Sequence, residues 1–411
     1  MTKSPPLKNT KVFQPIKVSI NTISNRVVFV PTTRRRNLED NTPSQLTAQH
    51  YDERSKYPGS LVITEATFVS GRAGALSTAP AIETKKQTEA WKKVVQRIHD
   101  NGSFASSQLW FLGRVSYEPE VLKQKGFDLV GPSAIYSSAA NEKNAIAAGN
   151  PLRSLSETEI KDIIYTDYTN AAKNAIEAGY DYIELHGAHG YLLDQFLQPV
   201  SNARTDKYGG SIENRARFVL ELIDHLIPIV GASKLAIRLS PWAKAQGMIA
   251  EKDSVHPITT FSYLLNELQK RADTGNQLAY ISIVEPRVSG GLDVADDQIV
   301  GNNDFITQIW KGIVIRAGNY SYDAPEFRSI QEDVENDRTL VGFSRYFTSN
   351  PDLVNRLAEG FELTPYNRPT FYSESNWGYN TYNEYGDSKS YLEDEEGKNL
   401  PKEISESINT K

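Results

Sequence analysis

Short apolar runs rich in β-branched residues alternate with longer amphipathic stretches along most of the chain. Eight alternations of this kind favour a parallel (β/α)8 barrel, the TIM barrel of the α/β class, over an open sheet. The 411 residues are enough for this fold as a single domain. The predicted strands cover residues 26–30, 60–64, 104–108, 182–186, 234–239, 279–284, 312–317 and 339–343.

Helix-start and helix-stop signals mark several of the stretches between these strands. Ser156 and Glu159 have the spacing of a capping box. Asn350 and Pro351 fit the N-cap and first residue of a helix that ends before Gly360. Helical periodicity of apolar residues is clearest at 84–101, 156–178 and 211–230.

The chain is predicted to have one folded body with two irregular ends. Residues 1–10 are predicted to be an N-terminal arm and 11–372 the barrel. Residues 373–411 are rich in Asn, Tyr, Ser and Glu, which predicts a tail that wraps the surface or is partly disordered. Long gaps near 110–155 and 286–304 predict loops that carry extra structure.

Composition limits the environment and the partners. The net charge of −6 gives no reason to expect nucleic acid or an anionic membrane as the main partner. The absence of cysteine removes disulfides, thiolate metal sites and cysteine nucleophiles. Residues 1–17 hold no apolar segment of a secretory signal, and no apolar run reaches the ~20 residues of a membrane span. We therefore expect a cytoplasmic protein.

Two imidazoles and a phenol follow the fourth predicted strand within six residues: His186, His189 and Tyr191. The histidines have three interpretations, namely a metal site, a hydrogen-bonded structural pair, or a clamp for the oxyanion of a substrate carbonyl. Tyr191 has an ordinary pKa of about 10 and could serve as a general acid. It could also be an ordinary half-buried tyrosine.

Other polar residues end the remaining predicted strands, at the rim where a barrel places its chemistry. Thr33, Gln108 and Arg238 suit a flat, polar, electron-accepting ring, because a guanidinium beside the ring stabilises negative charge. The alternative for Arg238 is a buried ion pair with Glu184 or Glu65, and Gln108 alone could be a satisfied core amide.

The ends of the seventh and eighth predicted strands, 316–319 and 342–345, resemble a barrel phosphate site. Arg345 would add charge-assisted hydrogen bonds there. The separate run 34–36 contains three arginines, which we interpret as solvated surface residues with local ion pairs.

Taken together, these motifs resemble the yeast old yellow enzyme family of FMN-dependent NADPH dehydrogenases and ene-reductases. The likeness covers about residues 11–372 and is greatest to Candida-type members, among them the oestrogen-binding protein. The block that follows His186, with its Gly-Gly-Ser-Ile-Glu-Asn-Arg continuation, is the most specific element. The matching segments are 30–34, 63–68, 108–110, 186–217, 238–242, 284–288, 316–320, 342–345 and 370–372.

The resemblance implies a role for each matching residue. His186 and His189 would bind the carbonyl oxygen of the substrate, Tyr191 would donate a proton, and Tyr372 and Trp110 would shape the substrate pocket. The residues implied to contact the FMN ring or its phosphate are Thr33, Ala66, Gln108, Arg238, Gly318, Ser344 and Arg345.

The implied reaction takes hydride from NADPH and reduces the activated C=C bond of α,β-unsaturated carbonyl compounds. Implied ligands are small enones, phenols and steroid-like molecules, without a metal, and a homodimer is a possible assembly. Arg35 departs from the Phe or Met that relatives often carry, so it could contact an anionic ligand. The absence of cysteine excludes the family branch that holds an iron–sulfur cluster. The rival functions are a non-catalytic ligand carrier and a metal-dependent hydrolase on the same barrel.

Overall fold

A closed barrel of eight parallel strands forms the centre of the computed structural model, which describes residues 4–115 and 117–405. Each strand pairs with the next along the chain, and the last pairs with the first. The (β/α)8 prediction is confirmed, and every predicted strand end lies within two residues of the observed one. The strands are β1 (Val27–Phe29), β2 (Leu61–Ile63), β3 (Phe104–Trp110), β4 (Tyr182–Gly187), β5 (Leu235–Leu239), β6 (Tyr280–Val284), β7 (Val314–Ala317) and β8 (Thr339–Phe343).

Helices between the strands cover the outside of the barrel. They are Gln45–Arg54, Lys85–Asp100, Glu157–Asp162 with its π-helical continuation Ile163–Tyr168 and Thr169–Glu177, Ile212–Val230, Pro257–Asp273, Asp304–Ile309, Arg328–Asp333 and Leu353–Glu359. Shorter α-helices in the loops and tail are Pro119–Gln124, Ala139–Ala147, Leu192–Leu197, Arg345–Ser349 and Glu393–Glu396. The 3-10 turns are Lys11–Phe13, Gly71–Ala73, Ala232–Lys234, Ala245–Gly247, Ala250–Lys252, Asp296–Gln298, Val334–Asn336 and Arg368–Thr370. None of the helices in the described ranges combines the length and apolarity that crossing a bilayer demands.

The predicted capping box is confirmed. The Ser156 hydroxyl accepts a hydrogen bond from the N–H of Glu159, and the Glu159 carboxylate accepts one from the N–H of Ser156. Thr84 and Gln87 form a second box at the start of Lys85–Asp100. These reciprocal bonds satisfy N–H groups that have no partner within the helix.

The predicted cap at Asn350 is wrong. The helix begins at Leu353, and Asp352 is the residue that precedes it. The buried amide of Asn350 is instead engaged in tertiary contacts: it donates to the carbonyls of Tyr346 (2.8 Å) and Thr364 (2.9 Å) and accepts from the Thr364 N–H at 2.7 Å. A side chain fully used in this way cannot also cap a helix.

A two-stranded hairpin closes the N-terminal end of the barrel. Its strands, Ile16–Val18 and Asn21–Ile23, pair antiparallel and place Val18 and Ile23 against the apolar interior. The hydroxyl of Tyr182, at the start of β4, donates to the Val18 carbonyl at 2.7 Å. The hairpin covers this end, and the cavity described below lies at the opposite, C-terminal rim.

In the arginine run, Arg35 fits the predicted mixture of surface exposure and local ion pairs, since it is half-buried and lies 3.8 Å from the Glu374 carboxylate. Arg34 and Arg36 contradict that interpretation, because they are 1% and 0% exposed. The chain after the barrel folds over them and supplies carbonyl acceptors: Arg36 donates to Phe371 O at 2.6 Å, and Arg34 donates to Gly378 O at 2.7 Å. The Tyr379 ring lies about 5 Å from both guanidinium carbons, at 5.1 and 4.8 Å. The start of the predicted tail is thus part of the packed structure.

Both long loops contain the predicted extra structure. The loop after β3 holds two helices and a short parallel pair, Val130–Gly131 with Arg153–Ser154. The loop after β6 holds a small hairpin, Val288–Ser289 with Leu292–Asp293. Of the predicted arm and tail, residues 1–3 and 406–411 lie outside the described residues, as does Ser116 in the first loop.

Candidate active site

Polar side chains at the C-terminal ends of β3, β4 and β5 meet in the barrel mouth. Side chains alternate along a strand, so Glu184 and His186 share the inner face of β4. The strand register pairs Gln108 with Glu184 and Arg238 with His186. The Gln108 amide donates to a Glu184 carboxylate oxygen at 2.6 Å. The closing of the barrel therefore brings together residues that are far apart in sequence.

A tight turn after β4 returns His189 to the side of His186. His189 and Gly190 have φ angles of 56° and 75°, in the left-handed region. The His189 N–H donates to the Ser240 hydroxyl at 2.7 Å, and the Gly190 N–H donates to Asp194 at 2.8 Å. These bonds stabilise the left-handed backbone conformation, which costs His189 on the order of 1 kcal/mol. The two imidazole centroids end 5.8 Å apart.

Both imidazoles are neutral at physiological pH. Burial, followed by the charges of His189 and Arg238, holds the pKa of His186 well below its ordinary value. Burial, followed by Arg238, lowers the pKa of His189 to about 3. Each ring has one buried nitrogen, Nδ1 of His186 and Nε2 of His189, without a hydrogen-bond partner among the described residues. A purely structural pair would have its buried nitrogens satisfied, so this arrangement does not fit that interpretation.

If these histidines bound a metal ion, the described residues would offer it no third protein ligand. Within residues 4–115 and 117–405, no group of three or more His, Cys, Asp or Glu side chains is placed to hold a metal ion. A structural or catalytic zinc site normally needs three or four protein ligands.

Tyr191 forms the wall beside the imidazoles. Its ring centroid is 5.0 Å from that of His186 and 5.0 Å from that of Trp110. Trp110 in turn stacks on Phe68 at 4.9 Å, which fixes this wall. Burial raises the pKa of Tyr191 well above its ordinary value, so its hydroxyl stays protonated at neutral pH. The hydroxyl lies 2.8 Å from the hydroxyl of Tyr117, within hydrogen-bond distance.

Arg238 is buried beside Glu184 but does not form an ion pair with it or with Glu65 in the described chain, and its Nε has no partner there. Burial raises the pKa of Glu184 to about 7, while the Arg238 charge opposes that rise. The positive charge of Arg238 is therefore only partly neutralised, and it is available to a ligand in the barrel mouth.

The far side of the mouth is built by β7 and β8. Gly318 has φ 146°, and a Cβ there would approach the Glu285 Cβ to 2.9 Å. The Ser344 hydroxyl contacts the Thr32 hydroxyl at 2.7 Å. Arg345 donates through both terminal nitrogens to Asp293 of the β6 loop hairpin, one of these bonds being 2.6 Å, and to the Tyr366 hydroxyl at 3.0 Å.

All twelve residues predicted for the site line one cavity of about 510 Å³. A volume of this size lies within the roughly 300–1,000 Å³ of small-molecule sites. Arg35 lines the same cavity and donates to the Ser77 carbonyl at 3.0 Å. The twelve residues are Thr33, Ala66, Gln108, Trp110, His186, His189, Tyr191, Arg238, Gly318, Ser344, Arg345 and Tyr372.

Sequence reasoning missed several further lining residues, among them the polar Tyr117 and Gln246. Both lie in long loops, after β3 and β5, where no periodicity fixes the direction of a side chain. No motif or spacing in the sequence singled them out.

Four residues that line the cavity each have a buried nitrogen without a hydrogen-bond partner in the described chain: Trp110, His186, His189 and Arg238. Buried polar groups are nearly always hydrogen-bonded in folded proteins, so these residues keep unused hydrogen-bonding capacity beside the cavity. A flat heteroaromatic ring with carbonyl groups fits a lining of this kind.

Comparison with known proteins identifies the family. A family model described as the NADH:flavin oxidoreductase / NADH oxidase family matches residues 11–364. The chain belongs to this family, that of the old yellow enzymes. The crystal structure of Old Yellow Enzyme from a Pichia species superimposes with a TM-score of 0.91 at 46% identity, covering 97% of this chain and 100% of that one.

Curated members of the old yellow enzyme family are similar over almost the whole chain. A probable NADPH dehydrogenase of Candida albicans is 56% identical over 381 residues, which cover 92% of each protein. Enoate reductase 1 of Kluyveromyces lactis is 42% identical over 384 residues, covering 92% of this chain and 95% of the relative. The predicted family and enzyme class are confirmed: this old yellow enzyme is an FMN-dependent oxidoreductase that uses NAD(P)H.

Proposed function

We propose that this old yellow enzyme reduces the activated C=C bond of α,β-unsaturated carbonyl compounds, with NADPH as the hydride source. One observation carries the proposal: two neutral imidazoles and a protonated phenol, His186, His189 and Tyr191, lie side by side on one wall of the cavity. The names of the Candida and Kluyveromyces relatives, an NADPH dehydrogenase and an enoate reductase, support it.

The cavity residues fit FMN. The ring would be held by Arg238, Gln108, Thr33 and Ala66, because they line one cavity and supply a cation, an amide, a hydroxyl and a small contact. The residues that would hold the phosphate are Gly318, Ser344 and Arg345. When bound, FMN supplies the two-electron redox centre that accepts hydride from NADPH and passes it to the substrate.

The imidazole pair would bind the carbonyl oxygen of the substrate. Negative charge grows on that oxygen as hydride adds to Cβ, so N–H donors from His186 and His189 stabilise the transition state more than the ground state. Their low pKa values keep both rings neutral, and neutral donors do not protonate the oxygen outright. The Tyr191 hydroxyl then gives its proton to Cα and completes the saturation of the bond.

Tyr191→Phe tests this assignment, with Tyr165→Phe as the matched control. Tyr165 is 49% exposed, packs on His225 outside the barrel and does not line the cavity. The flavin absorption of each protein is followed anaerobically, first on addition of NADPH and then on addition of cyclohexenone. Reduction by NADPH should be unchanged in both variants, because it needs no proton from Tyr191. Reoxidation by cyclohexenone should slow about 10²- to 10⁴-fold in Tyr191→Phe alone, because a general acid usually accelerates a reaction by that factor.

Equal loss of both half-reactions in Tyr191→Phe would contradict the role of the phenol. Reduction by NADPH without any reoxidation of the wild type by enones would instead mean that the electron acceptor of this NADPH dehydrogenase is not an enone. Phenols and steroid-like compounds are proposed as ligands of the same imidazole pair, and a homodimer stays a prediction.

A further inference from the structure

The hydroxyl of Tyr191 is connected to the protein surface through a second tyrosine. Tyr117 contacts it at 2.8 Å, and the side-chain amide of Gln246 donates to the Tyr117 hydroxyl at 2.9 Å. Tyr117 is 45% exposed and lies in the loop after β3. The three side chains form a chain of hydrogen bonds from the cavity wall to its mouth.

We propose that Tyr117, positioned by Gln246, relays protons from solvent to Tyr191 in each catalytic cycle. This inference rests on the proposed role of Tyr191 as proton donor. Tyr117 acts through Tyr191 and is therefore a positioning and relay residue rather than a catalytic one.

The need for a relay follows from the proton balance. When Tyr191 protonates Cα, its O–H bond breaks, a C–H bond forms, and a phenolate remains in the cavity wall. The Tyr117 O–H proton moves to that phenolate, and water at the cavity mouth returns a proton to Tyr117. Each turnover thus takes one hydride from NADPH and one proton from solvent.

Burial is the largest influence on both phenols, and it raises the pKa of Tyr117 and of Tyr191. Both hydroxyls are therefore protonated at neutral pH, so the Tyr117 hydroxyl carries a proton that can move to a Tyr191 phenolate.

Gln246 orients the relay. Its amide N–H donates to the Tyr117 oxygen, which leaves the Tyr117 hydrogen free to point at Tyr191. The Tyr191 hydrogen is then free to point into the cavity. The Gln246 backbone is held in the left-handed region, φ 56°, where its carbonyl accepts from the Arg114 guanidinium at 3.1 Å.

The test compares Tyr117→Phe and Gln246→Leu with the wild type, and uses Tyr165→Phe as the control. Steady-state reduction of cyclohexenone by NADPH is measured at increasing concentrations of imidazole buffer at fixed pH and ionic strength. We expect Tyr117→Phe to lower kcat roughly 10- to 100-fold, and Gln246→Leu to lower it less, at low buffer concentration. Added buffer acid should restore the rate of Tyr117→Phe, because a small acid can replace the missing proton donor, and should leave the wild type unchanged.

Three further readouts separate a relay from a packing role. The rate of flavin reduction by NADPH, the affinity for p-chlorophenol and the melting temperature should match the wild type in Tyr117→Phe. The relay is wrong if Tyr117→Phe is slower than the wild type and added buffer acid does not restore its rate. It is also wrong if Tyr117→Phe turns over as fast as the wild type. If Tyr117→Phe fails to fold, Gln246→Leu carries the same test, because it keeps both phenols and removes only the orienting donor.

Failure of the relay can be distinguished from failure of the proposed function. If Tyr191→Phe slows reoxidation by the enone while Tyr117→Phe does not, the relay is wrong and the proposed function stands. If the wild type does not reduce cyclohexenone at all, the proposed function fails and the relay fails with it.

Discussion

Replacing His189 by glutamine should make the protein less sensitive to acid. His189 has a pKa of about 3 in the folded protein and an ordinary value of 6.5. Between pH 6.5 and 3 the unfolded chain binds a proton that the folded protein excludes, so stability falls as the pH falls. Glutamine is polar and uncharged, so the His189→Gln variant cannot lose stability by this route.

The size of the effect follows from the pKa of the unfolded chain. A pH of 5.0 lies about 1.5 units below 6.5, and each unit is worth about 1.36 kcal/mol, so this one imidazole costs the wild type about 2 kcal/mol between pH 7.5 and 5.0. The result needs only that the folded-state pKa lies below about 4.5. His186 adds a further loss to both proteins, because its pKa is also held well below the ordinary value.

The measurement is the free energy of unfolding in urea for wild type and His189→Gln, each at pH 7.5 and 5.0. The drop between the two pH values should be about 2 kcal/mol smaller in the variant, whatever the substitution does to stability at pH 7.5. Equal drops in the two proteins would mean that His189 is already charged at pH 5.0. The argument for neutral donors at the carbonyl oxygen would then be wrong.

Three other substitutions test the packing and the site. Arg36→Leu should lower the free energy of unfolding in urea by at least about 3 kcal/mol, because several buried carbonyls lose their hydrogen-bond donor. The control Arg328→Leu, on the exposed surface, should change that free energy by less than about 0.5 kcal/mol. Gly342→Ala should lower the free energy of unfolding by about 1–3 kcal/mol, because the added Cβ would overlap the side chains of Val30 and Ala317. His186→Ala combined with His189→Ala should weaken phenol binding at least about tenfold, since the clamp donors are lost, and unchanged affinity in a flavin-perturbation titration would contradict the clamp.

Periodicity and turn chemistry were sufficient to predict the barrel. Most strands are short runs dominated by apolar residues, because parallel strands are buried on both faces, and such runs are visible in sequence. The capping box of Ser156 and Glu159 could be predicted because its two residues lie three positions apart in the sequence. Asn350 could not, because tertiary partners compete for its amide. Arg34 and Arg36 were misread because the carbonyls that satisfy them come from more than 330 residues away.

The site was predictable where it lies on strands and unpredictable where it lies on loops. Strand ends meet at one rim in any barrel, so His186 and Arg238 could be placed together before the structure was known. Tyr117 and Gln246 come from loops whose paths depend on packing, and neither belongs to a motif. The Arg345–Asp293 pair is also a loop contact, and the role of Arg345 at a phosphate stays a prediction.

An anaerobic absorption titration tests the central claim most directly. The purified protein should be yellow, NADPH should bleach its flavin absorption, and cyclohexenone should restore it as the enone is saturated. A colourless protein that takes up no FMN, or a bleached protein that no enone reoxidises, would contradict the account.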